Sequence, residues 1–490
     1  MSPARNQMDI DSQGSYDILA RRRRYLGNLG LNSLADWQRR VNEVMADVSV
    51  LILQPSAAAA PPTSASIMAA TPAPARPASF RVDTAFPAVQ IGGGAGRRPA
   101  PAALTATLPT GTPDPASFVV RATVDETDLD DLDNALKSQH GEQVVFSDPR
   151  VEPAQTCGGD PPVGHDGDVR ARLGADRLRE LGLDGRGVAV AVMDTGINLQ
   201  HLTARGRAVR LDRHLSWTPN GLPTPGAYAV GHGTMCAWDV LLAAPEATLL
   251  DFALLQSTGG ITALLSDALR GYNELLGWMS LPNGERPYHS LVVSNSWAMF
   301  QDSWDPFPPG HSGRYIDNAN HPFNVLVGTL SQAGADIVFC AGNCGPVCPD
   351  GRCQGDSTGT IRGANSSDDV LCVGGVDVNG ALVGYSSQGP GRIGQQKPDL
   401  VTCTHFLGSE SFGAGTPDSG TSAACPVAAG VVAALRSAFP FDPGNPTRSP
   451  ANMRNYLRQH AVRAPGQPWA ADMGFGELSS FEFDNAGQHL

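Results

Sequence analysis

The sequence predicts an α/β fold with a mostly parallel central sheet covered by helices on both faces. Two observations carry this. From about residue 165, apolar strand-like runs at 187–193, 247–255, 290–294, 336–340 and 370–373 alternate with helical stretches at 232–242, 262–279, 324–333 and 422–437. Such alternation builds a sheet with helices on each side. Second, polar residues suited to chemistry follow two of the runs: Asp194 follows the first, and Asn343 lies just beyond Cys340. In sheets of this kind ligands bind outside the carboxyl ends of the strands.

The chain has 490 residues, enough for roughly two to three domains. Residues 15–54 carry helical spacing, with Leu34, Trp37, Val41 and Val44 on one face, so 1–54 is expected to be a helical segment. Residues 55–115 are rich in Ala, Pro, Thr and Gly and read as a flexible linker. Residues 116–160 change character. A strand is expected at 118–122, a helix at 128–138 with Leu129, Leu132 and Leu136 on one face, and a second strand at 143–146. This small α+β unit has room for completion by strands from the linker side. The main domain is expected over 165–480.

Composition narrows the partners. The net charge is −13 with no long basic face, so nucleic acid is not an expected partner. No run reaches the ~18 apolar residues of a membrane span, so no membrane is expected either. Arg21 to Leu26 reads RRRRYL, but no apolar stretch follows it as an export signal requires. The nine cysteines are an odd count. Together these point to a reducing, cytoplasmic setting. Cys340, Cys344, Cys348 and Cys353 cluster around Asn343. Their spacing leaves three readings open: disulfides, a soft-metal site, or reduced thiols in a Gly/Pro-rich loop.

Three motifs carry the chemistry. Val188 to Gly196 presents Asp194 at the end of an apolar run, Gly231-His232-Gly233-Thr234 presents a histidine, and Gly420-Thr421-Ser422 presents a serine at a helix start. A serine hydroxyl is a weak nucleophile at neutral pH and needs a base to take its proton. An imidazole can be that base, and a carboxylate can orient it. A helix N-terminus offers backbone N–H groups to a developing oxyanion. Taken singly, each residue has a bland reading: Ser422 as an ordinary helix cap, His232 as a structural histidine, Asp194 as a turn cap. The order Asp, His, Ser is one of the known orders of a hydrolytic triad.

Together the motifs resemble the subtilisin-like serine proteases, the subtilases. The resemblance covers Val192 to Ile197, Gly231 to Thr234, Ser294-Asn295-Ser296-Trp297, Ala341-Gly342-Asn343, Val373 to Val376, Tyr385 to Pro390, Lys397-Pro398-Asp399, Gly420 to Pro426 and Gly474-Phe475-Gly476. It implies a three-layer α/β/α catalytic domain with Ser422 as nucleophile, His232 as general base then acid, and Asp194 as orienting carboxylate. Asn343 and the Ser422 N–H would form the oxyanion hole. A protein or peptide substrate would lie as an added strand along Ser294, Asn295, Ser296 and Trp297, beside Gly342. No cofactor is implied. The stretch from His232 to Ala244 is short and lacks the loop that holds calcium in secreted relatives, so no metal is expected. Ala423, Val427 and Ala298 depart from the family's usual residues, and Ala298 is expected to crowd the cleft. The 116–150 unit resembles the family's inhibitory propeptide, which implies a zymogen processed between about 152 and 168. Two other readings stay in view: a dedicated regulatory protease acting on one partner protein, and a catalytically silent peptide-binding module.

Overall fold

The computed structural model describes residues 48–55, 81–91, 117–153, 161–219, 224–256, 263–281, 283–463, 466, 468–478 and 490. Strands are β1 Val48–Pro55, β2 Arg81–Val82, β3 Val89–Ile91, β4 Ser117–Val124, β5 Val145–Ser147, β6 Arg150–Pro153, β7 Val188–Met193, β8 Arg210–Leu211, β9 Thr248–Phe252, β10 Ala263–Leu264, β11 Ser290–Asn295, β12 Trp297–Ala298, β13 Ala335–Cys340, β14 Leu371–Val376 and β15 Leu400–Cys403. The longer helices are α1 Leu129–His140, α2 His232–Ala243, α3 Leu265–Met279, α4 Pro322–Gln332, α5 Thr421–Ala438 and α6 Pro450–His460.

The central sheet has seven strands in the order β15-β14-β13-β11-β7-β9-β8, all parallel. Its side chains divide by the period of two that a strand imposes. Val188, Val190, Val192, Leu249, Val292 and Val338 enter one apolar core with α2 and α5. Ala189, Ala191, Met193, Leu250, Leu291, Val293 and Ile337 enter another with α3 and α4. Two cores on one sheet require helices on both faces, which is the expected three-layer α/β/α fold. Helix α5 is long and apolar enough to cross a membrane, but 89% of that window is buried in the core. Its small residues Ala424, Ala428 and Ala429 let it pack closely across the strands.

The N-terminal unit differs from the expected boundaries. The predicted helical segment lies outside the described residues up to position 47, and from Val48 the chain is strand rather than helix. Strand β1 is an inner strand of a five-stranded sheet, antiparallel to β4 along its whole length and to β5 from Val50 to Ile52. Strands β2 and β3, inside the stretch read as linker, add to β4. The physical reason is nonlocal. The six apolar or small residues from Val48 to Leu53 find their partner about seventy positions later, where no local pattern shows it. Helix α1 buries Leu129, Leu132 and Leu136 on this sheet, as its spacing predicts.

The unit shares one apolar core with α3 and α4, and polar groups join the two parts. Asp148, between β5 and β6, accepts hydrogen bonds from Ser49 Oγ at 2.8 Å, Ser266 N at 2.7 Å and Ser266 Oγ at 2.9 Å. Ser147 Oγ donates to Asp305 Oδ2 at 3.1 Å, and His321 Nε2 meets the Ser147 carbonyl at 2.8 Å. Burial pushes the Asp148 carboxyl up to about 6, with the neighbouring Asp267 charge adding to it. A carboxyl raised on folding stabilises the fold below its ordinary value near 4, and that contribution is lost as pH rises through about 6. Asp148→Asn keeps an acceptor for Ser266 N and removes the buried charge. We expect the variant to match the parent in Tm near pH 4 and exceed it at pH 7. A variant less stable than the parent at pH 7 would contradict this electrostatic account.

Candidate active site

Asp194 follows the last residue of β7, and burial leaves it fully enclosed. Its Oδ1 accepts from Thr195 N at 2.7 Å and faces His232 Nδ1 at 2.8 Å. Thr195 Oγ1 in turn accepts from Gly233 N at 2.9 Å, which fixes the first turn of α2 against the Asp194 loop. Gly233 is required there: a Cβ would come within 2.5 Å of the Gly196 carbonyl oxygen. Asp251 on β9 holds the same loop from below, accepting from Ile197 N at 3.2 Å and Gly226 N at 2.8 Å, and burial pushes its carboxyl up to about 7.

His232 opens α2 and is 8% exposed. With Nδ1 engaged by Asp194, Nε2 is the ring atom left for chemistry, and it has no hydrogen-bond partner among the described residues. One turn along, Cys236 Sγ lies 3.6 Å from Asp194 Oδ2 and 3.8 Å from His232 Nδ1. These three ligand groups lie within 4.8 Å of one another, close enough for a soft metal ion to compete with the carboxylate–imidazole bond. Burial, with the Asp194 charge, pushes the Cys236 thiol well above its ordinary range, so it rests neutral.

Ser422 is the second residue of α5. Pro426, four residues on, lacks the N–H that would bond the Ser422 carbonyl. That carbonyl instead accepts from Ser296 Oγ at 2.9 Å and Cys236 Sγ at 3.6 Å. The proline thus ties the start of α5 to both the cleft edge and α2. Ser422 Oγ donates to the Ser296 carbonyl at 3.1 Å.

Asn343 lies three residues beyond β13. Its Oδ1 accepts from Thr421 N and from Thr421 Oγ1, each at 2.9 Å, while Thr421 Oγ1 accepts from Gly342 N at 3.0 Å. Since the oxygen is held by two donors, the amide NH2 is the end turned away from Thr421. The loop behind it is closed by a disulfide between Cys344 and Cys353. Cys348 is also disulfide-bonded, whereas Cys340 is a buried free thiol. Of the three readings for the cluster, this is the disulfide one.

The cleft wall needs a correction. Ser294 and Asn295 lie inside β11, paired to both β7 and β13, and are buried. Their backbone groups are taken by the sheet, so they cannot receive an added strand. The edge begins at Ser296, and β12 is the pairing segment. There β6 of the N-terminal unit lies antiparallel to β12, Pro153 opposite Trp297 and Glu152 opposite Ala298. On its other side β6 pairs with β10, Val151 opposite Ala263. The β10 wall was missed by sequence reasoning: a two-residue strand before a helix leaves no periodic signal. Trp297 turns inward, packing on Phe339 and Phe323 at ring distances of 5.1 and 6.0 Å.

Comparison with known proteins agrees with this geometry. The model of the subtilase family matches residues 185–476. The chain is 26% identical over 321 residues to the subtilisin-like protease SBT6.1 of Arabidopsis thaliana, covering 64% of this chain and 27% of that protein. It is 28% identical over 305 residues to the human membrane-bound transcription factor site-1 protease, covering 61% of this chain and 25% of that protein. To the serine protease AprX of Bacillus subtilis it is 27% identical over 314 residues, covering 56% of this chain and 61% of that protein. The matched region thus spans about a quarter of the first two relatives. With more than half of its length matched by the family model, and with the parallel sheet and the Asp194–His232 pair in place, the chain belongs to the subtilase family.

Proposed function

We propose that this chain is a serine endopeptidase that acts through an acyl-enzyme and is made as a zymogen. The observation that carries it is the 2.8 Å contact of Asp194 with His232 Nδ1, which leaves Nε2 without a partner among the described residues, while Cys236 Sγ reaches both His232 Nδ1 and the carbonyl of Ser422 at the start of α5. In this reading Ser422 Oγ leaves the Ser296 carbonyl by a turn about its Cα–Cβ bond and gives its proton to His232 Nε2. The oxygen adds to the scissile carbonyl carbon, and the carbonyl oxygen becomes an oxyanion. The Asn343 amide and the Ser422 N–H stabilise that charge. Asp194 stabilises the imidazolium. His232 then protonates the leaving amine, and water repeats the sequence to release the acyl group. Each step uses groups of this chain, the substrate and water.

Strand β6 supports the zymogen reading. It fills the space between β10 and β12 by backbone pairing, which is how an extended peptide binds a sheet edge. The strand ends at Pro153 opposite Trp297, one ladder step short of Ser296, the residue whose carbonyl accepts the Ser422 hydroxyl. Self-cleavage is therefore expected within the first residues after Pro153, inside the 152–168 range that the sequence suggests. The Cys344–Cys353 bond favours an oxidising compartment over the cytoplasmic reading.

Two outcomes follow. Incubated full-length protein should shed an N-terminal fragment ending just beyond position 153, read by intact mass, and Ser422→Ala should stay whole. Cleavage at the same place in the Ser422→Ala protein would rule out Ser422. Replacing Cys344 and Cys353 with serine should loosen the Asn343 loop and lower kcat more than it raises KM. Unchanged kcat would mean that Thr421 alone holds the Asn343 amide.

A further inference from the structure

Backbone pairing in the cleft carries no sequence information, so selectivity has to come from side chains that meet the bound strand. Strand β6 offers one such contact that is charged and enclosed. Arg352 Nη1 donates to Glu152 Oε2 at 2.7 Å, and the Glu152 side chain is only 9% exposed. We infer that Arg352 forms a subsite for an acidic residue, so the enzyme selects peptides with Glu or Asp at the position that Glu152 occupies opposite Ala298. This rests on the endopeptidase reading above and on β6 marking the substrate path.

Arg352 is built in place rather than hanging from the surface. Its Nε and Nη2 donate to the two oxygens of Asp350 at 2.9 and 2.8 Å. Its guanidinium lies 3.7 Å above the Phe300 ring. The backbone around it is closed by the Cys344–Cys353 bond and by the hydrogen bond from Asp350 N to the Asn343 carbonyl at 2.8 Å. Two sides of the fork are thus occupied permanently, and Nη1 faces the strand. A preorganised donor loses little on binding, and a charge-assisted bond in an enclosed site is stronger than a neutral one. The second contact to Glu152, from Arg150 Nε at 2.7 Å, comes from β6 itself and would leave with it. Arg352 is therefore the part of this pair that stays with the peptidase. The same loop supports Asn343, so the subsite and the candidate oxyanion donor share one scaffold.

The test uses the full chain after incubation and three chromogenic peptide anilides: acetyl-Val-Glu-Pro-Ala, copying residues 151–154, and its Gln and Lys counterparts at the second position. We expect the parent to favour Glu over Gln by about ten-fold in kcat/KM, the margin of a charged over a neutral hydrogen bond. Arg352→Gln should bring that ratio near one. Arg352→Glu should favour the Lys peptide. Ratios within one variant cancel any loss of folded enzyme. A parent that cleaves the Glu and Gln peptides equally well overturns the inference while leaving the endopeptidase reading intact. If the parent cleaves none of the three peptides and no labelled casein, and Ser422 takes no fluorophosphonate adduct, the endopeptidase reading fails. The subsite is then decided by equilibrium competition with a fluorescein-labelled Val-Glu-Pro-Ala peptide. Ten-fold tighter binding of the Glu peptide supports it, and equal affinity overturns it.

Discussion

The structure depends on how closely two buried helices cross. At Gly430 of α5 an added Cβ would meet the Val240 carbonyl oxygen of α2 at 2.4 Å, so only a glycine fits. That contact lets both helices lie on the same face of the parallel sheet, in one apolar core. Both start at the carboxyl ends of the strands. His232 is the first residue of one helix and Ser422 the second residue of the other. A larger residue at the crossing would separate them, and with them the Cys236 and Ser296 contacts to the Ser422 carbonyl. The site is therefore a consequence of core packing: small residues in the helices place polar residues at their ends.

Much of this was legible in the sequence, for identifiable reasons. The strands of the central sheet are continuous apolar runs because both faces are buried, and their alternation with helices is a local pattern. The Asp194, His232 and Ser422 motifs are legible because each couples a reactive group to glycines that a tight approach demands. Gly233, pressed against the Gly196 carbonyl, is the clearest case. Strand β1 was not legible, since its identity as a strand comes from β4 and not from its own neighbours. The reach of the cleft edge was misjudged for a related reason. Ser294 and Asn295 belong to the motif that marks the edge, but the sheet ladder runs on to Asn295 before the strand turns out. Arg352 carried no signal at all. Its role depends on a disulfide, a ring and a strand brought together by the fold.

The N-terminal unit and the peptidase domain are one packed body rather than a domain and a tether. Apolar residues of β1, β4 and α1 join the same core as α3 and α4, and Asp148, Ser147 and His321 supply polar ties across the join. Such a surface holds β6 in the cleft by more than backbone pairing alone. It also explains how a strand of four residues, Arg150–Pro153, can be set in register: its anchors lie on the unit behind it. The consequence for chemistry is that approach to Ser422 is governed by the same unit that would be cut.

The proposed chemistry requires that His232 activate Ser422. It is tested most directly by reacting incubated protein with a serine-directed fluorophosphonate and mapping the adduct by peptide mass spectrometry. A single adduct on Ser422 is expected in the parent, and none in a His232→Ala variant that keeps the parent's circular dichroism spectrum. Ser422 left unmodified in the parent, or labelled equally without His232, would contradict it.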